Sequence, residues 1–350
     1  MGGKRGGLCF AEARRLYVAL VRPIIEFGFT TLPFSKQITI DKKNTTIIDF
    51  LEKLQQKSLR MIFGFFPCTK RETLPILCNV CTIKCRFATT KIIFAHKILC
   101  CQPDGFYVQD TVIENWDSSA GIGADIRAIS DCYGEILDDL DGFPALRNCA
   151  ISEEHTDFVE ATRTFLRNVD FLACKLAVVD SEARRSQATR VSLAISEQSH
   201  YSLLEHLQVE IPRYTLAPFV CALSGCDFLT PFSSKIKPIC KFCTKSPASW
   251  GHLLFNCPST ARTGLSKFEA FRASLSADTD VSDQLRPKLS KAKRIMASLW
   301  NQKDYVSLTD FCFGVSLHKY KLFYKTIVHR LVSTIAPIMH SIEQQWDSLL

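Results

Sequence analysis

Apolar residues return at helical intervals over most of this chain. From Ala11 to Phe29 the spacing of Leu16, Ala19 and Leu20 predicts a helix that Pro23 breaks or kinks, because proline lacks an N–H and clashes with the preceding turn. Residues Ile47 to Phe63 give the clearest amphipathic pattern. On a helical wheel Ile47, Ile48, Leu51, Leu54, Ser58 and Ile62 share one stripe, while Lys53, Lys57 and Arg60 gather on the opposite face with Gln56, and Gly64 ends the run. Pro75 opens another turn, and Lys84 to Leu99 predicts a further helix. The period resumes from Phe158 to Leu176, more weakly to Leu207, and again from Phe268 to Leu275. Near the end Leu317, Tyr320, Tyr324, Ile327, Leu331 and Ile335 keep helical spacing up to Pro337. The pattern predicts a mainly α protein.

Two stretches interrupt it. Gln102 to Ser152 is acidic and punctuated by Gly105, Gly121, Gly123, Gly134 and Gly142, which predicts a domain boundary. Pro212, Pro218, Pro231 and Pro238 mark an irregular run into a cluster of Cys and His. The division that follows is a helical domain over 1–110, an acidic, mainly helical middle segment over 111–211, a small metal-binding module over 212–275 and C-terminal helices over 276–350.

A length of 350 residues, with 47% hydrophobic and 22% charged residues, suits two or three packed units and excludes a disordered tail. The 16 cysteines would suggest disulfides in a secreted chain. The first ten residues carry no apolar signal core, and no stretch approaches the ~20 apolar residues that span a bilayer. Gly6 stands where a myristoylation signal needs Ser or Thr. The reading is a reducing, intracellular setting, nucleus or cytoplasm, with mostly free thiols and no membrane partner.

The net charge of +8 hides an alternation: residues 1–100 carry +11, 101–211 carry −12, and 212–350 carry +9. Two basic blocks flank an acidic one. This points to nucleic-acid contact by the outer blocks, with the middle either held off the polyanion, folded against the basic blocks, or bound to a protein partner.

The strongest chemical motif is Cys240-x2-Cys243-x8-His252-x4-Cys257. A two-residue gap lets one turn present two thiolates, and three thiolates with one imidazole close a tetrahedral zinc shell, so the metal would be structural rather than catalytic. Lys241, Lys245 and Arg262, with Phe242 and Trp250 among them, form the mixture of cations and aromatic faces that suits single-stranded RNA or DNA. Phe255 and Leu253 are expected in the module's small core. A second group, Cys78, Cys81 and Cys85 with His96 and Cys100 downstream, is read as buried small hydrophobes rather than as a metal site. No G-x-S-x-G nucleophile motif is present.

Several of these segments also carry a family resemblance. Leu16-Tyr17 followed by Leu20-Val21-Arg22-Pro23-Ile24-Ile25-Glu26-Phe27-Gly28 resembles the "LY.ALVRPILEYG" segment that follows the palm of non-LTR (LINE-type) retrotransposon reverse transcriptases. Leu51 to Gly64 resembles their "LEK.Q.K.LR.I.G" helix, Leu74-Pro75 with Arg86 resembles the "LP.L…R" continuation, and His252 to Pro258 resembles the "HLL..CP" end of their zinc knuckle. The resemblance covers about residues 11–100 and 235–262. It implies a thumb-like domain whose helix lays Lys53, Lys57 and Arg60 on the template-primer backbone, followed by a knuckle.

The family's polymerase carboxylates come from an aromatic-x-Asp-Asp hairpin before the thumb, where two metal ions are held. The pair Asp138-Asp139 stands after the thumb-like segment and lacks those flanks. Where one branch has a nuclease Pro-Asp, this chain has Arg286-Pro287-Lys288, and Asp278, Asp280 and Asp283 lack a partner motif. The expectation is a non-enzymatic, nucleic-acid-binding C-terminal fragment from a truncated element. The alternative is a domesticated zinc-dependent protein-interaction module.

Overall fold

A threonine and a glycine bound the helix that the sequence marks most clearly. Thr46 Oγ1 accepts the Asp49 N–H at 3.0 Å, and Gly64 turns left-handed at φ 72°, so the helix runs over Ile47–Phe63. The structure is a computed structural model and describes residues 8–34, 37–40, 43–65, 69–100, 107–133, 153–185, 204–224, 239–276, 282–322 and 325–348. It is mainly α. In order the helices are α1 (Phe10–Leu16), α2 (Arg22–Glu26), α3 (Ile47–Phe63), α4 (Thr73–Cys78), α5 (Ile83–Cys100), α6 (Tyr107–Glu114) and α7 (Ile122–Tyr133). They continue as α8 (Glu153–Arg185), α9 (Arg213–Leu223), α10 (Ala261–Ser274), α11 (Arg286–Asn301), α12 (Tyr305–Cys312) and α13 (Lys325–Asp347). One antiparallel pair, β1 (Gln37–Ile40) with β2 (Lys43–Thr46), was not expected from the pattern; its β-branched Ile38, Thr39, Ile40, Thr45 and Thr46 favour a strand.

Pro23 neither ends nor breaks its helix. Between α1 and α2 the chain takes a π-helical turn over Tyr17–Val21, in which the Arg22 N–H reaches back to the Tyr17 carbonyl. The wider turn carries the backbone past a residue that cannot donate. It also buries Tyr17, whose hydroxyl donates to Gln55 Oε1 at 2.8 Å while Gln55 Nε2 donates to the Cys81 carbonyl at 3.0 Å.

That chain of bonds explains a correction on α3. Its buried positions are Ile48, Gln55, Leu59 and Phe63, whereas Leu54, expected inside, is exposed. The buried stripe is rotated because a fully bonded glutamine can be buried where a polar residue looks external on a wheel. Phe63 then packs on Phe10 with ring centres 4.8 Å apart.

Helix α5 starts under two carboxylates. Asp170 Oδ2 accepts the Thr82 N–H at 2.9 Å and Glu52 Oε2 accepts the Ile83 N–H at 2.7 Å, which satisfies amides that have no partner within the helix. Both carboxylates come from other helices, α8 and α3. Glu26 holds α2 to the same helix through a bidentate pair with Arg86 at 2.9 and 3.0 Å.

Boundaries drawn from composition are not where the helices stop. Helix α6 runs across position 110, and α7 and α8, both acidic in sequence, pack on α5. One connected core joins Phe10, Leu59 and Leu74 of the first block to Phe219, Leu331 and Trp346, while a second gathers Phe29, Phe34, Phe87, Ile129 and Leu166. Helix α13 packs on α9 and α10, so the segments 212–275 and 276–350 share a core. The last helix begins at Lys325 rather than near Leu317, and Pro337 lies inside it on the exposed side. Tyr320 sits in a preceding short 3₁₀ turn, and Tyr324 falls outside the described residues. Among the described residues no helix is long and apolar enough to cross a membrane.

Candidate metal centre

The segment 239–257 folds around four side chains. An isolated bridge pairs Ile239 with Pro247, the Cys240 N–H donates to the Ser246 carbonyl at 2.8 Å, and the Thr244 N–H donates to the Cys240 carbonyl at 2.7 Å. Thr244 takes the left-handed conformation at φ 56°, which closes the turn between the two cysteines. The chain then enters a π-helical turn, His252–Asn256, whose first residue donates its N–H to Ser249 Oγ at 3.1 Å. Cys257 follows in extended conformation.

This brings Cys240, Cys243, His252 and Cys257 together with their ligand atoms all within 4.8 Å of one another, and all four residues are buried. Cys240 Sγ and Cys257 Sγ are 3.8 Å apart, and Cys243 Sγ and His252 Nε2 are 3.4 Å apart. A tetrahedral zinc shell has S–S edges of about 3.8 Å and S–N edges of about 3.6 Å, from bond lengths of about 2.3 and 2.05 Å. The four residues therefore could hold a metal such as zinc. In a tetrahedral shell these four residues would leave no open position, the arrangement of a structural rather than a catalytic metal.

Backbone amides favour negative charge on one sulfur, and burial opposes it on another. Burial pushes the Cys240 thiol up to about 11, against hydrogen bonds from the Cys243 and Phe242 backbones that pull it down. The Lys245 backbone, and after it that of Ser246, draws the Cys243 thiol below its ordinary value. Burial lowers the His252 pKa, which favours the neutral imidazole with a lone pair to donate. Lys267 donates to the Leu253 carbonyl at 3.3 Å; burial lowers its pKa, and Cys257 partly counters that.

The site is embedded in the C-terminal helices. Leu253, Leu254 and Phe255 are buried, and Phe255 lies against Phe271, Trp300 and Tyr305 at 6.1 to 6.5 Å. Leu253 and Phe255 are thus core residues as expected, but of a larger core. Gly251 permits the closest approach: a Cβ there would sit 3.0 Å from the Tyr305 carbonyl oxygen and 3.1 Å from Thr309 Oγ1 of α12.

Three of the proposed nucleic-acid contacts are placed differently from the sequence reading. Trp250 is only 3% exposed, so its ring is not available to stack on a base. The residue follows two half-buried or buried neighbours into the hydrophobic core, and proximity to lysines in sequence gave the opposite impression. Phe242 is half-buried, with its ring edge-on to Trp346 at 5.6 Å, and Lys241 Nζ lies 5.3 Å from the same indole. Arg60 leaves the lysine face: its Nη2 donates to the Thr69 carbonyl at 2.8 Å, and burial lowers its pKa. Lys53, Lys57 and Lys245 are exposed. The Arg262 side chain lies outside the described residues. Trp346 escaped the sequence reading because nothing local links it to a motif ninety-odd positions earlier.

The second cysteine group divides. Cys78 and Cys85 are buried as expected, and His96 stacks on Phe158 at 4.0 Å instead of turning toward them. Cys81 and Cys85 instead meet Asp170, a residue the spacing could not supply. The pair Asp138-Asp139, Asp278 and Asp280 lie outside the described residues, and Asp283 is an exposed partner of Arg286 at 3.8 Å.

No family model matches the chain, and no curated protein or solved structure matches it.

Proposed function

We propose that this chain is a nucleic-acid-binding C-terminal part of a non-LTR retrotransposon reverse-transcriptase-like protein, in which a structural zinc holds the 239–257 segment in place. The observation that carries the reading is the buried Cys3His set, with two of its edges near tetrahedral lengths, in a segment whose sequence resembles that family's knuckle. The exposed Lys53 and Lys57 on the thumb-like helix and the exposed Lys245 beside the zinc ligands supply cations for phosphates. The chain's role is binding; catalysis belongs to carboxylates that the resemblance puts outside the matched segments.

A second reading is a zinc-dependent protein-interaction module. It is favoured by Leu16, Leu20, Ile24 and Phe27, apolar side chains at near-helical intervals that are 42 to 86% exposed, as surfaces covered by another folded unit are. Fluorescence anisotropy with a single-stranded RNA over a salt series separates the two. A linear fall of log affinity with log salt, with a slope that reports several phosphate contacts, supports nucleic-acid binding. Absence of binding at low salt, from protein containing one equivalent of zinc, rejects it in favour of the interaction module.

A further inference from the structure

Away from the cysteine cluster, helices α1, α2, α5 and α8 enclose a cavity of about 140 Å³. Five arginines line it: Arg14 from α1, Arg22 from α2, Arg86 from α5, and Arg163 and Arg167 from α8. Among the described residues Glu26 is the one carboxylate in the lining, and it is shared between Arg22 at 2.7 Å and Arg86 at 2.9 Å. The lining therefore holds more cations than carboxylates within a partly buried space.

Two of the other arginines share a neutral acceptor. Arg14 Nε donates to the Asn79 carbonyl at 3.1 Å, and an Arg167 Nη donates to Asn79 Oδ1 at 3.0 Å, so one asparagine in left-handed conformation sets two guanidinium groups side by side. Their mutual repulsion is visible at Arg14, whose pKa is lowered first by burial and then by Arg167 and Arg22. A cavity that gathers five guanidinium groups around one lining carboxylate is suited to an anion brought from outside. We propose that this cavity binds a phosphate group. The guanidinium fork matches the oxygens of a tetrahedral oxyanion, several forks reach it from four helices, and a dianion offsets more of the surplus than a carboxylate would.

The site is independent of the proposed zinc and of the exposed lysines on α3, so its failure would leave the functional reading standing. The test is isothermal titration of the full chain with inorganic phosphate at constant ionic strength, chloride replacing phosphate in the control. One saturable site is expected, with affinity reduced about tenfold or more in Arg14→Gln and in Arg163→Gln, since each removes a charge-assisted hydrogen bond. Arg163 is exposed, so its replacement leaves the core intact and keeps the test valid if Arg14→Gln folds poorly. A 5′-phosphorylated dinucleotide that displaces inorganic phosphate assigns the site to a terminal phosphate of a larger ligand. Failure to displace it assigns the site to the free ion. Binding no stronger than the chloride control, or unchanged affinity in Arg163→Gln whatever the fold of Arg14→Gln, overturns the proposal.

Discussion

Lys91 Nζ lies 2.7 Å from Asp125 Oδ2, with the two side chains only 3% and 7% exposed. The pair joins the basic first block to the acidic middle. Asp125 Oδ1 also accepts the Phe34 N–H at 2.6 Å, and Lys91 Nζ donates to the Thr30 carbonyl at 3.0 Å. Together with Asp170 on the Thr82 amide, these bonds spend acidic residues of the middle block inside the fold. At these positions the charge alternation along the sequence becomes internal pairing.

Removing one partner of such a pair leaves the other charge buried without compensation. Asp125→Ala is expected to cost about 3–5 kcal/mol, and Lys91→Met about as much. The double replacement Lys91→Met with Asp125→Ala should cost clearly less than the sum, because it leaves no orphaned charge. Urea denaturation of the four proteins measures this. Additive losses would mean that the pair contributes through packing alone.

Cys243→Ser is expected to lower zinc from one equivalent per chain to none, measured by elemental analysis of reduced protein. Because Leu253, Leu254 and Phe255 lie in the shared core, the loss should reach beyond the knuckle. A cost of more than about 4 kcal/mol, or roughly 5 °C in melting temperature, is expected. Wild-type protein treated with a chelator should melt like the variant. Full stability after chelation would show that the cluster folds as buried thiols without a metal.

How far the sequence carries can be judged from single residues. The span of α3 and its glycine stop were legible because they depend on neighbours within one turn. The four ligands of the candidate site were legible for the same reason, as tight turns fix ligand spacing. Leu54 was misplaced because the buried stripe follows Gln55, whose burial depends on Tyr17 and Cys81, remote in sequence. Trp250 was misplaced because lysines nearby in sequence do not reveal which way an aromatic ring points. Asp170 and Trp346 entered their clusters only through helix packing, for which a single sequence holds no local signal.

The α3 cations now divide into two kinds. Lys53→Ala with Lys57→Ala should lower the slope of log affinity for single-stranded RNA against log salt by about one to two units, with unchanged stability. Arg60→Ala should barely change the slope. It should instead cost about 1–3 kcal/mol, because its bond to the Thr69 carbonyl ties the helix end to the following loop. Equal effects of all three on the slope would restore Arg60 to a phosphate-facing role.

The helix that Glu52 caps should be more stable in acid than at neutral pH. Burial raises the Glu52 carboxyl from its ordinary 4.5 to about 7, the Asp170 charge adds to this, and the Ile83 N–H at 2.7 Å works in the opposite direction. In the folded state the group holds its proton up to about pH 7, whereas in the unfolded chain it releases it near 4.5. Between those values the native state binds more protons than the unfolded one, so stability falls as pH rises through the window and levels off above it. The whole effect amounts to at most about 3 kcal/mol. Glu52→Gln keeps an oxygen to accept the Ile83 amide but carries no charge. Its stability should match that of wild type near pH 4 and exceed it above pH 7, the difference opening between the two. Chemical denaturation at pH 4, 5.5, 7 and 8 reads this directly, and a variant less stable than wild type at pH 8 would show that the carboxylate is ionised and favourable where it sits.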